Sequence, residues 1–287
     1  MKKIIIMQGL PASGKSTSSK KLVDENGNYG RINRDDLRAM IFNSKWSPQR
    51  EKIIVEIEKA IASVLLQNNV SPIIDDTNLS SGHIRLWKDF SLSKNCNADI
   101  ISMGASVELS VERDALRPTP VGKAIIHKMA LNNNKIKWGN KNIVIVDLDG
   151  TLCDDSYRES FLHKEDGTKE WNKYFSMMET DTPVDIVYRW VKELSKDYTI
   201  VIMTGRPDNY QFETLRWLQK YEIPYNYIFM RASSDKRPDV LVKNDILSKL
   251  PRERIYMALD DRPSVINEVW RKNGIKVIPV RGDIEPF

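Results

Sequence analysis

The stretch Ile143–Thr151, Ile-Val-Ile-Val-Asp-Leu-Asp-Gly-Thr, lies near the midpoint of the 287-residue chain. Its four consecutive β-branched residues are typical of a strand buried on both faces, as in a parallel sheet. Two carboxylates, Asp147 and Asp149, follow at the C-terminal end of this strand, where open α/β sheets bind their ligands. An acidic turn is the alternative interpretation, because Asp-Gly is common in turns. The stretch therefore predicts an α/β fold with acidic chemistry at one sheet edge.

The length and composition predict two ordinary globular domains. The net charge of +5 is unevenly distributed, since residues 1–140 hold 21 Lys/Arg against 14 Asp/Glu, and residues 141–287 hold 23 against 25. A basic first half favours a polyanionic partner, although solvated lysines on helices give the same excess. The two cysteines form no Cys-x-x-Cys pair, and no apolar run reaches 18 residues. We therefore expect a cytoplasmic protein without a membrane segment.

The N-terminal region carries a phosphate-binding loop. Residues 2–8 predict a buried strand, the octet Gly9-Leu10-Pro11-Ala12-Ser13-Gly14-Lys15-Ser16 follows, and Lys15–Val23 predicts a helix. In such a loop, backbone N–H groups and the helix N-terminus converge on phosphate oxygens. Lys15 is expected to neutralise the β and γ phosphates, and Ser16 to ligate Mg²⁺. The expected ATP-binding residues of this region are Gly9, Ser13, Gly14, Lys15, Ser16 and Thr17.

Two further pairs in the first half allow both structural and catalytic interpretations. Asp35 and Arg38 share one helix face, where the carboxylate could accept a proton from a hydroxyl while the arginine holds a neighbouring phosphate. Helix capping by Asn33 explains part of the same cluster. Arg113 and Arg117 are four residues apart near the end of a helix that Pro118 terminates, so we expect them to share a helix face. There they either complement the helix dipole or clamp a transferring phosphate.

The long helix opened by Ser47-Pro48 shows a helical apolar repeat, and Asp76 lies at the end of a predicted strand. The repeat predicts a buried face formed by Ile53, Ile57, Ile61 and Val64. Asp76 and its neighbours would face the same crevice as the phosphate loop. Capping by Thr77 or Asn78 is the alternative for that segment.

Together, the loop, Arg34-Asp35-Asp36-x-Arg38, Asp76-Thr77-Asn78 and Arg113-x-x-x-Arg117 resemble the kinase half of the phage-type polynucleotide 5′-kinase/3′-phosphatase family. The resemblance implies that Asp35 is the general base toward a 5′-hydroxyl and that Arg38 holds the adjacent substrate phosphate. It also implies a supporting role for Asp76, and contacts of Arg113 and Arg117 with the ATP phosphates.

In the second half, three predicted strands end in polar residues. Asp147 and Asp149 follow the first strand, Thr204-Gly205-Arg206 follows Tyr198–Met203, and Asp260-Asp261 follow Ile255–Leu259. Asp239 and Lys243 lie four residues apart on a predicted helix, where a surface ion pair is the commoner explanation. The helix over Asn209–Lys220 is expected to bury Phe212, Leu215 and Leu218.

This order of motifs resembles the haloacid dehalogenase phosphatase superfamily. The resemblance implies that Asp147 is the nucleophile, that Asp149 is the general acid and base, and that Thr204 and Lys243 hold the phosphoryl oxygens. It also implies Mg²⁺ between Asp147, the Asp149 carbonyl and either Asp260 or Asp261. Further substrate-binding residues implied by the phage-type phosphatase half are Arg158, Gly205, Arg206, Arg231 and Asp239.

The segment between the first two strand ends, residues 153–182, departs most from the family pattern, and its role stays open. It includes Lys164-Glu165-Asp166-Gly167, which imitates a nucleic acid ligase motif. We interpret this motif as a solvated turn, because phosphatase motifs occupy the place of a ligase domain.

These observations predict a P-loop 5′-kinase domain over residues 1–139 and a 3′-phosphatase domain over residues 140–287. The implied activities are ATP-dependent phosphorylation of 5′-hydroxyl ends and removal of 3′-phosphates from DNA or RNA, with Mg²⁺ as cofactor. A separate nucleic acid ligase and a second copy of the chain are the protein partners to consider, in the host cytoplasm if a phage encodes the chain. The alternatives are a small-metabolite kinase fused to a small-metabolite phosphatase, and a regulatory nucleotide-binding module.

Overall fold

The computed structural model describes residues 2–25, 27–162 and 168–280. The chain forms two compact units, Met1–Val121 and Gly122–Phe287. Both are α/β structures with a parallel sheet, so the predicted two-domain α/β class is confirmed. No helix in the described ranges has both the length and the apolar content needed to cross a bilayer. The ligase-like motif at 164–167 lies outside the described residues.

The first unit contains a four-stranded parallel sheet with the order β2-β3-β1-β4. Strand β1 is central, and its middle residues are buried because neighbouring strands and helices cover both faces. The strands are β1 (Lys3–Gln8), β2 (Tyr29–Ile32), β3 (Ser71–Ile74) and β4 (Asn97–Ser102). The helices are α1 (Lys15–Glu25), α2 (Arg34–Phe42), α3 (Pro48–Gln67), α4 (Ser81–Ser93) and α5 (Val107–Ala115).

The apolar face predicted for α3 is wrong by about one residue. Ile53 and Val64 are exposed, and Ile57 and Ile61 are half-buried. The buried residues are Ile54, Glu58, Ala62 and Leu66. Glu58 explains the rotation, because its carboxyl group accepts a hydrogen bond from Arg34 inside the unit and so occupies a position that a polarity pattern assigns to solvent. The predicted start of the helix at Ser47-Pro48 is confirmed, and the Ser47 side chain caps it by accepting the Arg50 N–H.

The second unit contains a five-stranded parallel sheet with the order β11-β10-β5-β8-β9 and a short antiparallel ribbon, β6-β7. The strands are β5 (Ile143–Val146), β6 (Cys153–Asp154), β7 (Thr182–Pro183), β8 (Thr199–Pro207), β9 (Tyr227–Arg231), β10 (Ile255–Asp260) and β11 (Val277–Pro279). The helices are α6 (Lys123–Asn132), α7 (Ser156–Glu159), α8 (Trp171–Ser176), α9 (Asp185–Leu194), α10 (Gln211–Lys220), α11 (Asp239–Leu247) and α12 (Pro263–Val265).

Strand β5 is buried over its whole length, as its sequence predicts. Val144 and Val146 pack into one apolar cluster, whereas Ile143 and Ile145 pack into another. Successive side chains of a strand point to opposite faces, so a β-branched run with both faces covered fills two cores. This strand therefore fixes the position of the carboxylates that follow it.

Helix α6 belongs to the second compact unit, although the sequence places the domain boundary after it, at 139/140. His127 on α6 accepts the backbone N–H of Ile228 on β9 at 3.0 Å, and its ring packs edge-on against Tyr227. Packing thus divides the chain at 121/122. The sequence-based boundary places residues 122–139 in the kinase domain, whereas in the structure these residues pack with the second unit.

Two other predicted features of the second unit differ in the structure. Strand β8 continues through Thr204, Gly205 and Arg206 to Pro207, with an irregularity in its pairing to β9 at this point. On α10, Phe212 is exposed, whereas Trp217 and Leu218 are buried against the sheet. A large aromatic side chain at the first turn of a helix therefore did not mark its buried face.

Candidate active sites

The phosphate loop joins β1 to α1, as predicted. Gly14 has a φ of 98°, a conformation that L side chains rarely adopt. A Cβ on Gly9 would lie 2.5 Å from Ser13 Oγ, so the loop closes too tightly for a side chain there. The two glycines therefore make the compact turn in front of the α1 N-terminus possible.

Lys15 is buried within this loop, and its Nζ donates to the carbonyl oxygens of Gly9 at 3.0 Å and Leu10 at 2.7 Å. Burial lowers the pKa of the Lys15 ammonium to about 8, and the carboxylates Asp75 and Asp76 oppose this shift only in part. Ser13 is buried, whereas Ser16 and Thr17 lie exposed at the start of α1. Arg117 is among the charges that act on Lys15.

The predicted pair Asp35 and Arg38 does meet on α2. Arg38 donates to Asp35 Oδ1 at 2.5 Å and to Glu51 Oε2 at 2.9 Å, and the Asp35 side chain is 84% exposed. Asp76 accepts the Arg34 N–H at 3.0 Å and therefore anchors the start of α2. Asn33 caps the same helix by accepting the Asp36 N–H, so the cap and the Asp35–Arg38 pair are both present.

Sequence reasoning missed the buried hydrogen bond between Arg34 and Glu58 beneath this site. Arg34 Nε donates to Glu58 Oε2 at 2.8 Å and lies 3.1 Å from Asp76 Oδ2. Burial, with the nearby Asp76 charge, raises the pKa of Glu58 to about 8 despite Arg34. The only signal in the sequence is a glutamate among the apolar residues of α3.

Arg113 and Arg117 do not share a helix face, which corrects the prediction. Helix α5 ends at Ala115, so Arg117 lies beyond it, where its side chain contacts Asp114 Oδ1 at 3.2 Å. Pro118 disfavours the helical conformation for the residue before it. Arg113 is exposed on α5.

In the second unit, the three polar strand ends meet because β10, β5 and β8 are neighbours in the sheet. The Lys243 ammonium lies 3.0 Å from Asp147 Oδ1 and donates to Asp260 Oδ2 at 2.8 Å. Lys243 is buried, so its pairing with Asp239 on α11 is not the surface ion pair that its spacing suggests. One cation thus links the first and last acidic strand ends.

Asp147, Asp260 and Asp261 are buried, and one carboxylate oxygen from each lies within 4.8 Å of the others. Burial raises the pKa of Asp147 well above its usual range, Asp260 and Asp261 raise it further, and Lys243 opposes them. Asp260 also accepts the indole N–H of Trp270 at 3.0 Å and the Arg262 N–H at 3.1 Å. Trp270 is a further site residue that the sequence reasoning did not identify.

Gly150 forms the tight turn after the acidic pair. Its φ is 78°, and a Cβ at this position would lie 2.1 Å from Asp261 Oδ2. The next residue, Thr151, donates its hydroxyl to Asp261 Oδ1 at 2.9 Å. The turn therefore holds Asp261 against the backbone, with no space for a side chain.

Asp149 contacts two of the predicted phosphate-binding arginines. Its carboxylate accepts from Arg158 Nη2 at 2.5 Å and from Arg206 Nη2 at 2.6 Å. Burial alone would raise the pKa of Asp149, but the Arg206 and Arg158 guanidinium groups outweigh it and hold the pKa below its usual range. Residues 153–182, which we call the insert, thus supply Arg158 to the centre of the site.

Sequence reasoning also missed Asp181, which is fully buried beside these arginines. Its carboxylate accepts from Arg158 at 2.9 and 2.6 Å and from Arg206 at 3.2 Å. Two arginines and two aspartates therefore form one buried network with balanced charge. Asp181 stands before the short strand β7 and belongs to no motif, so only the fold reveals it.

The remaining predicted residues surround this network. Thr204 Oγ1 accepts the Arg206 N–H at 3.2 Å. Arg231 donates to the Gly205 carbonyl at 3.0 Å and to Asp239 Oδ1 at 3.0 Å. A Cβ on Gly205 would lie 2.8 Å from Asp239 Oδ1, so this position also requires glycine.

A cavity of about 910 Å³ opens next to Asp147 and Asp149. Arg231, Asp239 and Arg262 line it close to the acidic site. Residues of the insert line it as well: Lys169, Trp171, Asn172, Tyr174 and Phe175.

Comparisons with known proteins match both halves of the chain. Residues 141–283 match the family model of the polynucleotide kinase PNKP phosphatase domain, and residues 4–133 match that of an AAA domain. The chain is 26% identical over 152 residues to an L-seryl-tRNA(Sec) kinase of Methanococcus maripaludis. The match covers 50% of this chain and 58% of that relative.

Two solved structures are also similar. One is a chain of the Pnkp1/Rnl/Hen1 RNA repair complex, with 26% identity, 97% of this chain and 96% of that chain covered, and a TM-score of 0.42. Another is the haloacid dehalogenase-like protein SP0104 from Streptococcus pneumoniae, with 16% identity, coverage of 48% and 84%, and a TM-score of 0.36. Because the two matched family models follow each other over almost the whole chain, the protein belongs to the polynucleotide kinase/phosphatase family, with an AAA-type P-loop kinase domain followed by a PNKP-type haloacid dehalogenase phosphatase domain.

Proposed function

We propose that this chain heals the ends of broken nucleic acid strands, by transferring the γ-phosphate of ATP to 5′-hydroxyl ends and by removing phosphate from 3′ ends. The observation that carries the proposal is the meeting of Asp147, Lys243 and Asp260 at neighbouring strand ends, in a chain that also holds a complete phosphate loop. The match to the PNKP phosphatase domain supports this assignment.

In the kinase unit, the backbone N–H groups of the loop bind the ATP phosphates, with Gly9, Ser13 and Gly14 shaping the loop. Lys15 exchanges its carbonyl partners for the β and γ phosphate oxygens, and Ser16 and Thr17 stand at the helix N-terminus beside them. Arg113 and Arg117 supply further positive charge for the phosphates.

Asp35 takes the proton of the attacking 5′-hydroxyl, and Arg38, held by Asp35 and Glu51, binds the adjacent 3′-phosphate of the same nucleotide. The oxygen then bonds to the γ-phosphorus as the bond to the ADP oxygen breaks. Asp76 supports this step indirectly, because it anchors the helix that presents Asp35.

In the phosphatase unit, an Asp147 oxygen attacks phosphorus, and the 3′-oxygen of the nucleic acid leaves as Asp149 donates a proton to it. Water then attacks the aspartyl phosphate, with Asp149 accepting its proton, and inorganic phosphate is released. Lys243 and Thr204 bind the phosphoryl oxygens, while Arg231 and Asp239 support the Gly205 turn beside them.

Asp149 contacts Arg158 and Arg206 in the structure, and these contacts favour its charged form. To act as the acid, its carboxyl must leave the guanidinium groups and take a proton. We propose that the substrate phosphate replaces Asp149 as the partner of these arginines, which agrees with their expected phosphate-binding role.

The buried carboxylates of Asp147, Asp260 and Asp261 fit a Mg²⁺ ion, because they place hard oxygen ligands within a few ångströms of one another. The Asp149 carbonyl is the further ligand expected from the family. The ion supplies charge neutralisation for a phosphoryl group when bound. We also propose that a Mg²⁺ ion binds in the kinase site beside Ser16.

The proposed partners are ATP and the ends of DNA or RNA. A separate nucleic acid ligase is a further partner, since 5′-phosphate and 3′-hydroxyl ends are what a ligase joins. Cytoplasmic action, in the host cell if a phage encodes the chain, and self-association complete the proposal.

The test is to supply the protein with Mg²⁺ and two oligonucleotides, one with a 5′-hydroxyl end and labelled ATP, and one with a labelled 3′-phosphate. We expect label transfer to the first and phosphate release from the second. Turnover of nucleoside monophosphates and sugar phosphates, with neither oligonucleotide processed, would instead support the small-metabolite alternative. ATP binding without any phosphate transfer or release would support the regulatory module.

A further inference from the structure

The insert of the phosphatase unit carries a group of aromatic side chains on the wall of the catalytic cavity. Trp171 and Phe175, one helical turn apart on α8, stack with ring centroids 5.8 Å apart and planes 21° from parallel. Tyr210 continues the group, with its ring centroid 5.5 Å from that of Phe175. All three line the cavity that contains Asp147.

Trp171 is 41% exposed, so a large part of its indole remains accessible to a ligand. Phe175, by contrast, is buried and supports the indole from within. An exposed ring backed by a buried one presents a rigid flat surface on which a base can stack.

Cations flank this surface on the cavity wall. Lys169 lies over the Trp171 ring with its ammonium 5.8 Å from the centroid, and Lys236 and Arg237 belong to the same cavity. A rigid indole with positive charge around it is complementary to a nucleobase attached to a phosphate backbone. The cavity, at about 910 Å³, is far larger than a phosphate group requires.

We propose that Trp171, supported by Phe175, stacks on a nucleobase at the 3′ end of the substrate. Lys169 leaves its position over the indole as the base stacks and, with Lys236, contacts the phosphate backbone. This inference rests on the proposed function and assigns a role to the insert. The insert thereby selects nucleic acid ends over small phosphate esters, which have no base to stack. It also selects unpaired ends over paired ones, because stacking requires a base that is free of its partner strand.

The experiment compares two single-stranded substrates that differ only at the 3′-terminal nucleotides. Both carry a 3′-phosphate, and in one of them the last two sugars have no base. The wild-type protein should show a kcat/KM about tenfold higher for the complete substrate, corresponding to ~1.4 kcal/mol. Trp171→Ala should lose that preference by slowing only the complete substrate, and Trp171→Phe should retain most of it.

Trp190→Ala provides a matched control, because Trp190 is similarly exposed, at 39%, but lies on α9 and does not line the cavity. It should keep the wild-type preference. Equal slowing of both substrates by Trp171→Ala would indicate a merely structural role and overturn the inference. Equal wild-type rates on both substrates would overturn the inference while leaving the 3′-phosphatase activity intact, whereas no release from either would overturn the proposed function as well.

Discussion

The proposed catalytic carboxylates of the two units differ sharply in their surroundings. The Asp35 side chain is 84% exposed on a helix, whereas those of Asp147 and Asp149 are 10% and 15% exposed and contact buried cations. A nucleophile that must attack a phosphate anion needs fixed charges in a dry site, whereas a base toward a hydroxyl needs only position and proton affinity. One chain therefore carries an open proposed site around Asp35 in the first unit and a preassembled one around Asp147 in the second.

If the two activities reside in separate sites, a substitution in one site should abolish one activity and spare the other. These losses of activity should be the largest effects. Asp147→Asn should lower 3′-phosphatase activity by ~10⁴-fold or more, because the nucleophile is lost, and leave kinase activity near wild type. Lys15→Ala should do the reverse. The measurement is phosphate release and label transfer on the two oligonucleotides, using Asp147→Asn protein shown by mass to be free of deamidation. Parallel loss of both activities in a folded variant would contradict the separation.

The roles of Asp147 and Asp149 should be distinguishable with substrates that have different leaving groups. Asp149→Asn should lower turnover of a 3′-phosphorylated oligonucleotide by ~10³-fold, because the 3′-oxygen needs a proton as it leaves. On an aryl phosphate, whose leaving group is a weak base, attack by Asp147 should persist. The measurement is a kinetic comparison of both substrates, with acid trapping of the aspartyl phosphate. Trapped phosphate on Asp149 of the wild-type protein would reverse the two roles.

The buried network around Asp149 predicts an intermediate effect. Asp181→Asn leaves two buried arginines facing one carboxylate, so it should lower the free energy of unfolding by ~3 kcal/mol and 3′-phosphatase activity by ~10²-fold. Kinase activity should change little. Chemical denaturation and both activity assays measure the result.

Glu193→Gln is the control for that network, because it removes an exposed ion pair with Lys196 and should change neither property. If Asp181→Asn matched this control in activity and stability, the network would carry no function. If the Asp181→Asn protein does not fold, Asp181→Glu is the alternative variant, because it keeps the negative charge. It should restore the fold but not the full 3′-phosphatase rate, because the longer side chain displaces the arginines.

The smallest expected effect concerns the kinase unit and pH. The folded state holds a proton on Glu58 up to about pH 8, whereas an ordinary glutamate releases it near 4.5. This proton stabilises the fold at low pH, and the contribution disappears as pH rises through about 8. Wild type should therefore lose a few degrees of melting temperature relative to Glu58→Gln between about pH 6 and 9. Parallel melting curves across that range would show that Glu58 is charged throughout.

The sequence was most informative where backbone geometry dictates position. In a parallel sheet, the ends of neighbouring strands lie at one edge, so Asp147, Thr204 and Asp260 could be placed together from strand patterns and family order. The phosphate loop was equally predictable, because its glycines are required by the local backbone conformation and not by a contact with a distant segment.

Contacts between distant segments could not be predicted in the same way. Asp181 meets Arg158 and Arg206 only after the insert folds back, and no local pattern marks an aspartate as buried. Glu58 misled the assignment of the α3 face for the same reason, since a charge is expected in solvent until its partner, Arg34, is known. Pro118 did indicate that α5 ends nearby, but the four-residue spacing of the two arginines did not show that the helix ends at Ala115, before Arg117.

Gly150 gives the phosphatase site an unusual fragility. A methyl group at this position would meet the Asp261 carboxylate and would also strain a backbone with positive φ. The smallest possible substitution therefore strikes the acidic centre of one activity, while the nucleotide loop lies in the other half of the sequence. We therefore expect that, in the evolution of such a chain, one nucleotide change from a glycine to an alanine codon at this position removes the proposed phosphatase activity and leaves the proposed kinase activity.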